Sequence, residues 1–212
     1  SKPHAVPTDR KIEEHDIITI DMGCKVDGYC SDMTRTFFVG KVQDEIKNVY
    51  DLVLKNQEQA LQEYKDGAST RQITKMVEND FKLNGYDLIH SLGHGVGLEI
   101  HEPPYISSRS DTFLKENMVV TDEPGIYIEN SHGVRHENEL LCVEVETNEY
   151  GQFLKFEPIT MVPFDLDGLD LELLSNHEIK QINDYQQLVF DHVAPFLTNE
   201  ERAWLQANLL IK

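Results

Sequence analysis

The chain has 212 residues, 40% of them apolar, which is enough for one domain with a real core and a small appendage. Its 38 acidic and 19 basic residues leave a net charge of −19, which argues against a nucleic-acid partner or an anionic membrane surface, since both need a basic face. No apolar run approaches the roughly 18 residues that span a bilayer, and no basic-then-apolar signal segment opens the sequence, so a cytoplasmic location is expected. Cys24, Cys30 and Cys142 fit no zinc or redox spacing and read as reduced thiols.

Residues 16–40 read as a β-hairpin: Ile17, Ile18 and Ile20 lead in, Thr34, Thr36, Phe37 and Val39 lead out, and Asp27-Gly28 supplies a two-residue turn. Helices are expected over residues 44–65, where Ile46, Val49, Tyr50, Val53, Leu54, Leu61 and Tyr64 recur at helical spacing, and over residues 70–84, striped by Ile73, Val77 and Phe81. From His90 to Val145 the pattern changes to strands and turns. Residues 119–121, 126–128 and 134–145 each read as one strand. Helices return in the tail, where Ser175 with Glu178 and Thr198 with Glu201 form capping boxes. Strands, helices, strands, helices make an α+β chain.

The hairpin's turn fixes its register. Val26 faces Tyr29, Gly23 faces Asp32 and Asp21 faces Thr34, so Asp21 and Asp32 are diagonal neighbours on one face. Two such carboxylates repel, and a divalent cation removes that penalty. The same register turns Cys24 and Cys30 to opposite faces. Next come three histidines, His90, His94 and His101, among alternating glycines that let the backbone approach a neighbour closely. Glu123 then stands at a strand end before Pro124-Gly125, and Arg135 and Glu137 share a strand face. Four carboxylates and an imidazole suit Mn, Co, Fe or Zn, and two divalent ions would balance their charge.

The series Asp21, ten residues, Asp32, then Gly-His94-Gly-Val-Gly, Glu123-Pro-Gly and Val-Arg135-His-Glu137 resembles the pita-bread (M24-type) metallopeptidases, which include methionine aminopeptidase, aminopeptidase P, prolidase and creatinase. Arg135 two before Glu137, and Gly125, look like the proline-directed members. The tail from about Phe156 to Leu210 is similar to the C-terminal extension of three-domain Xaa-Pro aminopeptidases. The resemblance implies a pita-bread catalytic domain over residues 1–160 that lacks its first elements, followed by a helical extension over residues 161–212. It implies two divalent metals, most of all Mn2+, with Co2+ or Zn2+ as alternatives. Asp21 would bind one metal, His94 and Glu123 the other, and Asp32 and Glu137 both. Glu123 would accept a proton from the attacking water. His101 would hold the substrate, His90 would border the proline pocket, His4 would orient the substrate or move protons, and Arg135 would back Glu137. The implied reaction is hydrolysis of an N-terminal Xaa-Pro bond by a hydroxide bridging the metals, in a homodimer acting on peptides with proline second. An Xaa-Pro dipeptidase, or a non-catalytic peptide-binding fragment, is the alternative.

Overall fold

The computed structural model describes residues 2–3, 8–65, 67–149 and 151–211; His4 lies outside the described residues. The N-terminal hairpin has the expected register. β1 (Ile17–Met22) and β4 (Met33–Phe38) pair with Asp21 opposite Thr34. The short β2 (Lys25–Val26) and β3 (Tyr29–Cys30) continue it, with Val26 opposite Tyr29. Asp27 (φ 50°) and Gly28 (φ 92°) both take positive φ, the signature of the tight hairpin turn that matches strand twist. The Ser31 amide donates to the Cys24 carbonyl at 2.8 Å, so Cys24 lies opposite Ser31 rather than Cys30.

Two helices follow, α1 (Asp44–Glu63) and α2 (Thr70–Leu83). Val49, Val53 and Leu54 of α1 and Ile73, Val77 and Phe81 of α2 are almost wholly buried, each contributing about 1.5–3 kcal/mol of transfer free energy. These helices pack on a five-stranded antiparallel sheet whose order is β11-β10-β7-β5-β6. Its members in chain order are β5 (Gly93–Gly95), β6 (Glu102–Ile106), β7 (Val119–Asp122), β10 (Asn138–Asn148) and β11 (Gly151–Pro158). Between β7 and β10 lies a small hairpin, β8 (Gly125–Tyr127) with β9 (Gly133–Arg135).

One expectation is corrected. Residues 134–145 do not form one strand. Arg135 pairs with Gly125 in the small hairpin, Glu137 forms an isolated bridge with Thr34 of β4, and only from Asn138 does the chain join β7. The chain changes partner twice in four residues while its side chains go on alternating, so the sequence pattern hides the break.

The tail carries α3 (Asn176–Val193) and α4 (Asn199–Asn208), each opened by its expected capping box. Ile182, Tyr185 and Val189 of α3 belong to the same buried cluster as α1, α2 and the sheet. In α4, Leu205 and the following Leu209 are buried, whereas Trp204 is exposed. The whole is an α+β fold with a C-terminal helical extension, the architecture expected of it. No helix among the described residues is long and apolar enough to cross a membrane.

A Cβ on Gly93 would lie 2.0 Å from the Thr121 carbonyl oxygen, so β5 and β7 approach as closely as they do only because residue 93 has no side chain. A Cβ on Gly28 would meet only a Leu98 methyl at 3.9 Å, leaving backbone strain as its sole cost. Gly93→Ala should therefore destabilise the chain by about 3 kcal/mol or more, and Gly28→Ala by about 1–2 kcal/mol. Urea denaturation midpoints check this; equal losses would mean that the close strand approach is not a constraint.

Candidate metal centre

Strand ends from separate parts of the chain bring five side chains together. Asp21 comes from β1 and Asp32 from the residue before β4. His94 comes from β5, Glu123 follows β7, and Glu137 precedes β10. Among the described residues, three groups of side chains each hold their potential ligand atoms within 4.8 Å of one another: Asp21, Asp32 and Glu137; His94, Glu123 and Glu137; and Asp32, His94 and His101. The first two share Glu137, as a two-ion centre with a common carboxylate requires. Asp32, His94 and Glu137 are buried, Glu123 is nearly so, and Asp21 is exposed.

The tautomer of His94 follows from its neighbours. Its Nδ1 lies 3.0 Å from the Gly95 carbonyl oxygen, which can only accept, so Nδ1 carries the proton. Nε2 is then left with its lone pair directed at the carboxylates, 3.3 Å from Glu123 Oε1 and 3.7 Å from Asp32 Oδ2. Burial also lowers the pKa of this imidazole and keeps it neutral. A neutral imidazole held by a second hydrogen bond is the form that binds a transition metal.

Burial and mutual repulsion push the carboxylic acids the other way. Burial and then Asp21 raise Asp32 to about 6. Burial raises Glu137 with help from Asp32, and burial raises Glu123 with help from Glu137. Acids that cannot all ionise together, facing an imidazole lone pair, fit a pair of divalent cations, whose charge removes the cost.

Three hydroxyls and a carboxylate that the sequence reading passed over complete the frame. Thr34 Oγ1 donates to Glu137 Oε2 at 2.6 Å and accepts from Arg135 Nε at 3.0 Å. Thr121 Oγ1 accepts from the His94 amide and donates to Glu123 Oε1. Tyr127 Oη accepts from Arg135 Nη1 at 2.7 Å and lies 3.0 Å from His90 Nε2. Glu139 Oε1 accepts from the Asp32 amide at 2.7 Å. Each could have been sought as a side chain an even number of residues from a candidate ligand, hence on its face of the strand.

The residues around the five take definite places. Arg135 pairs directly with Asp21 and is linked by hydrogen bonds to Glu137 through Thr34. His90 has Nδ1 on the Ser91 carbonyl, 3.9 Å from Glu123 Oε2. His101 is exposed, its ring 4.2 Å from that of His94. A cavity of about 1200 Å3 runs along β1 and borders the cluster at Asp21, Tyr127 and Arg135.

Comparison with known proteins places this geometry. Residues 1–144 match the metallopeptidase family M24, and residues 152–209 match the C-terminal region of that family. The chain belongs to metallopeptidase family M24. It is 44% identical over 144 residues to the Xaa-Pro dipeptidase of Pyrococcus furiosus, covering 67% of this chain and 41% of that one. The prolidase of Pyrococcus horikoshii OT3 superposes with a TM-score of 0.70 at 38% identity, covering 78% of this chain and 46% of its own. An X-prolyl aminopeptidase from Caenorhabditis elegans superposes with a TM-score of 0.85 at 29% identity, covering 99% of this chain and 36% of its own. The chain thus spans less than half the length of the curated relatives it matches.

Protons and cations compete for the same oxygens. Asp32 holds its proton up to about 6 when folded, against an ordinary 3.8. That proton favours the metal-free fold below about pH 4, an advantage lost as pH rises through 6. A saturating divalent cation such as Mn2+ should therefore raise the thermal midpoint more at about pH 8 than at about pH 5. Equal shifts at both pH values would place the cation elsewhere.

Proposed function

We propose that this chain is the catalytic part, residues 1–160, and helical extension, residues 161–212, of a two-metal exopeptidase that cleaves the bond preceding proline. The observation that carries the reading is the His94 lone pair facing a crowd of buried carboxylates. Asp21 is assigned to one ion, His94 and Glu123 to the other, and Asp32 and Glu137 to both. Manganese is the proposed metal; Co2+ and Zn2+ suit the same donors, which are oxygen-rich with one imidazole. When bound, the two ions supply an activated water and polarise the scissile carbonyl.

The remaining steps fall to side chains of this chain. Glu123 keeps one oxygen on Thr121 and has the other available to take the water's proton. Burial, with Glu137 beside it, raises its pKa above the ordinary carboxylate range, which strengthens it as a proton acceptor. His101, exposed beside His94, is assigned to hold the substrate and the developing oxyanion. His90 is assigned to the pocket for the proline ring, its orientation fixed through Tyr127. Arg135 holds Asp21 and, through Thr34, Glu137. His4 keeps its proposed part in orienting the substrate or moving protons.

Between the two proline-directed activities, the relatives favour a dipeptidase, because two proteins at 43–44% identity are named Xaa-Pro dipeptidase. This reverses the preference for an aminopeptidase drawn from the tail. One observation keeps the aminopeptidase as a second reading: the C. elegans X-prolyl aminopeptidase aligns over 99% of this chain, extension included. A cytoplasmic homodimer, with exposed Phe196 and Trp204 offered to its interface, completes the proposal.

Metal content and cleavage assays on the purified chain loaded with Mn2+ test all this. Cleavage of Xaa-Pro dipeptides with longer Xaa-Pro peptides spared supports the dipeptidase, and the reverse pattern supports the aminopeptidase. Stoichiometric metal with neither cleaved would overturn the enzymatic reading in favour of a peptide-binding fragment. Glu137→Gln should lower metal affinity by more than about 100-fold and abolish turnover with it, since losing a ligand costs more than losing a ligand's hydrogen-bond partner.

A further inference from the structure

Arg35 is wholly buried, and among the described residues no carboxylate oxygen is one of its hydrogen-bond partners. Its Nη1 donates to the carbonyls of Thr34 (2.8 Å) and Glu137 (2.6 Å). Its Nη2 donates to Asn138 Oδ1 (2.6 Å), the Val162 carbonyl (2.8 Å) and Tyr185 Oη (2.6 Å). Nε donates to Val162 as well, and the guanidinium lies 4.5 Å over the Phe164 ring. Tyr185 belongs to α3, so one side chain reaches from the backbone of Glu137 into the C-terminal extension.

The Tyr185 hydroxyl is itself confined. It lies 2.9 Å from the carbonyls of Thr160 and Val162 and 3.2 Å from Asn138 Oδ1. It therefore fixes where the Arg35 guanidinium can sit, and Arg35 fixes the Glu137 carbonyl. The Glu137 amide is held from the other side by the Thr34 carbonyl at 3.0 Å. A residue clamped at both its amide and its carbonyl can point its carboxylate in few directions, which is what a ligand shared by two ions requires.

We propose that Tyr185 and Arg35 are positioning residues for Glu137, so that the C-terminal extension acts as a support of the metal centre and not as packing alone. The proposal rests on the reading of Glu137 as a metal ligand. It is tested on the full chain by titrating Mn2+ and following binding by calorimetry. Tyr185→Phe keeps the ring and removes the hydroxyl; it should weaken Mn2+ binding about 10-fold, the effect of losing a partner of a ligand. Arg35→Lys keeps the positive charge but cannot span these oxygens, and should weaken binding at least as much. Leu205→Ala disturbs the buried face of α4 in the same extension and removes none of the Arg35 or Tyr185 partners named above; it should lower the thermal midpoint and leave Mn2+ affinity unchanged.

Parental affinity in folded Tyr185→Phe or Arg35→Lys would overturn the proposal. So would an equal loss in Leu205→Ala, which would reduce the effect to general packing. Glu137→Gln separates this failure from that of the ligand reading. If Glu137→Gln binds Mn2+ as the parent does, the ligand assignment falls, and this proposal falls with it. If Glu137→Gln loses the metal while Tyr185→Phe and Arg35→Lys keep it, only the positioning role falls.

Discussion

Thr34 and Glu137 meet where two hairpins and a sheet come together, and much of the molecule is arranged around that bridge. The Glu137 amide bonds to the Thr34 carbonyl, and the Thr34 hydroxyl bonds back to the Glu137 carboxylate. Arg135 approaches the same hydroxyl from one side, and Arg35 grips both carbonyls from the other. Asp21 lies across the strand pair from Thr34, so the bridge also places β1 against the residues that follow β7. Without it, the N-terminal hairpin and the five-stranded sheet would each carry part of the carboxylate set, at no fixed separation.

That junction gathers groups that repel each other. Asp32, Glu123 and Glu137 are each driven towards the protonated form, with burial as the largest cause and a neighbouring carboxylate next. Folding holds them together only because hydrogen bonds from Thr34 and Thr121, and the charge of Arg135, offset part of the cost. The residual strain has a direction: it favours whatever brings positive charge. An apolar core with a mispaired carboxylate would relieve the same strain by losing the carboxylate, whereas this chain keeps four, with one neutral imidazole among them.

How much of this was legible follows from how each part is specified. The hairpin register was readable because Asp27-Gly28 admits one tight turn, and a two-residue turn fixes every pair outward to Asp21 and Thr34. The helices were readable from their apolar stripes and caps, within a residue or two of their ends. The convergence of Asp21, Asp32, His94, Glu123 and Glu137 was expected through family resemblance, since nothing local tells a clustered aspartate from an isolated one. The strand break at His136 was not legible, because side-chain alternation survives a change of partner. β5 and β6 were hidden for another reason: their glycines and prolines read as turns, and only the close approach of Gly93 to Thr121 shows why glycine stands in a strand. β11 was readable in principle, with Leu154 and Phe156 turned inward between Phe153, Lys155 and Glu157.

The groups that escaped the sequence reading share a property. Thr34, Thr121, Tyr127 and Arg35 are ordinary strand residues by propensity, and a hydroxyl or guanidinium in a strand announces nothing about its partner. Their roles appear only once three separate strand ends are brought together. The candidate set is written in the types of its residues, whereas the hydrogen bonds that aim those residues are written in the tertiary fold. The C-terminal extension illustrates the difference. By sequence it is a run of capped helices, yet the hydroxyl of Tyr185 sits two hydrogen bonds away from Glu137 through Arg35. A helix that shares the core by its apolar stripe thus touches the site through a single polar atom, and that atom, rather than the stripe, decides whether the extension is a neighbour of the centre or a part of it.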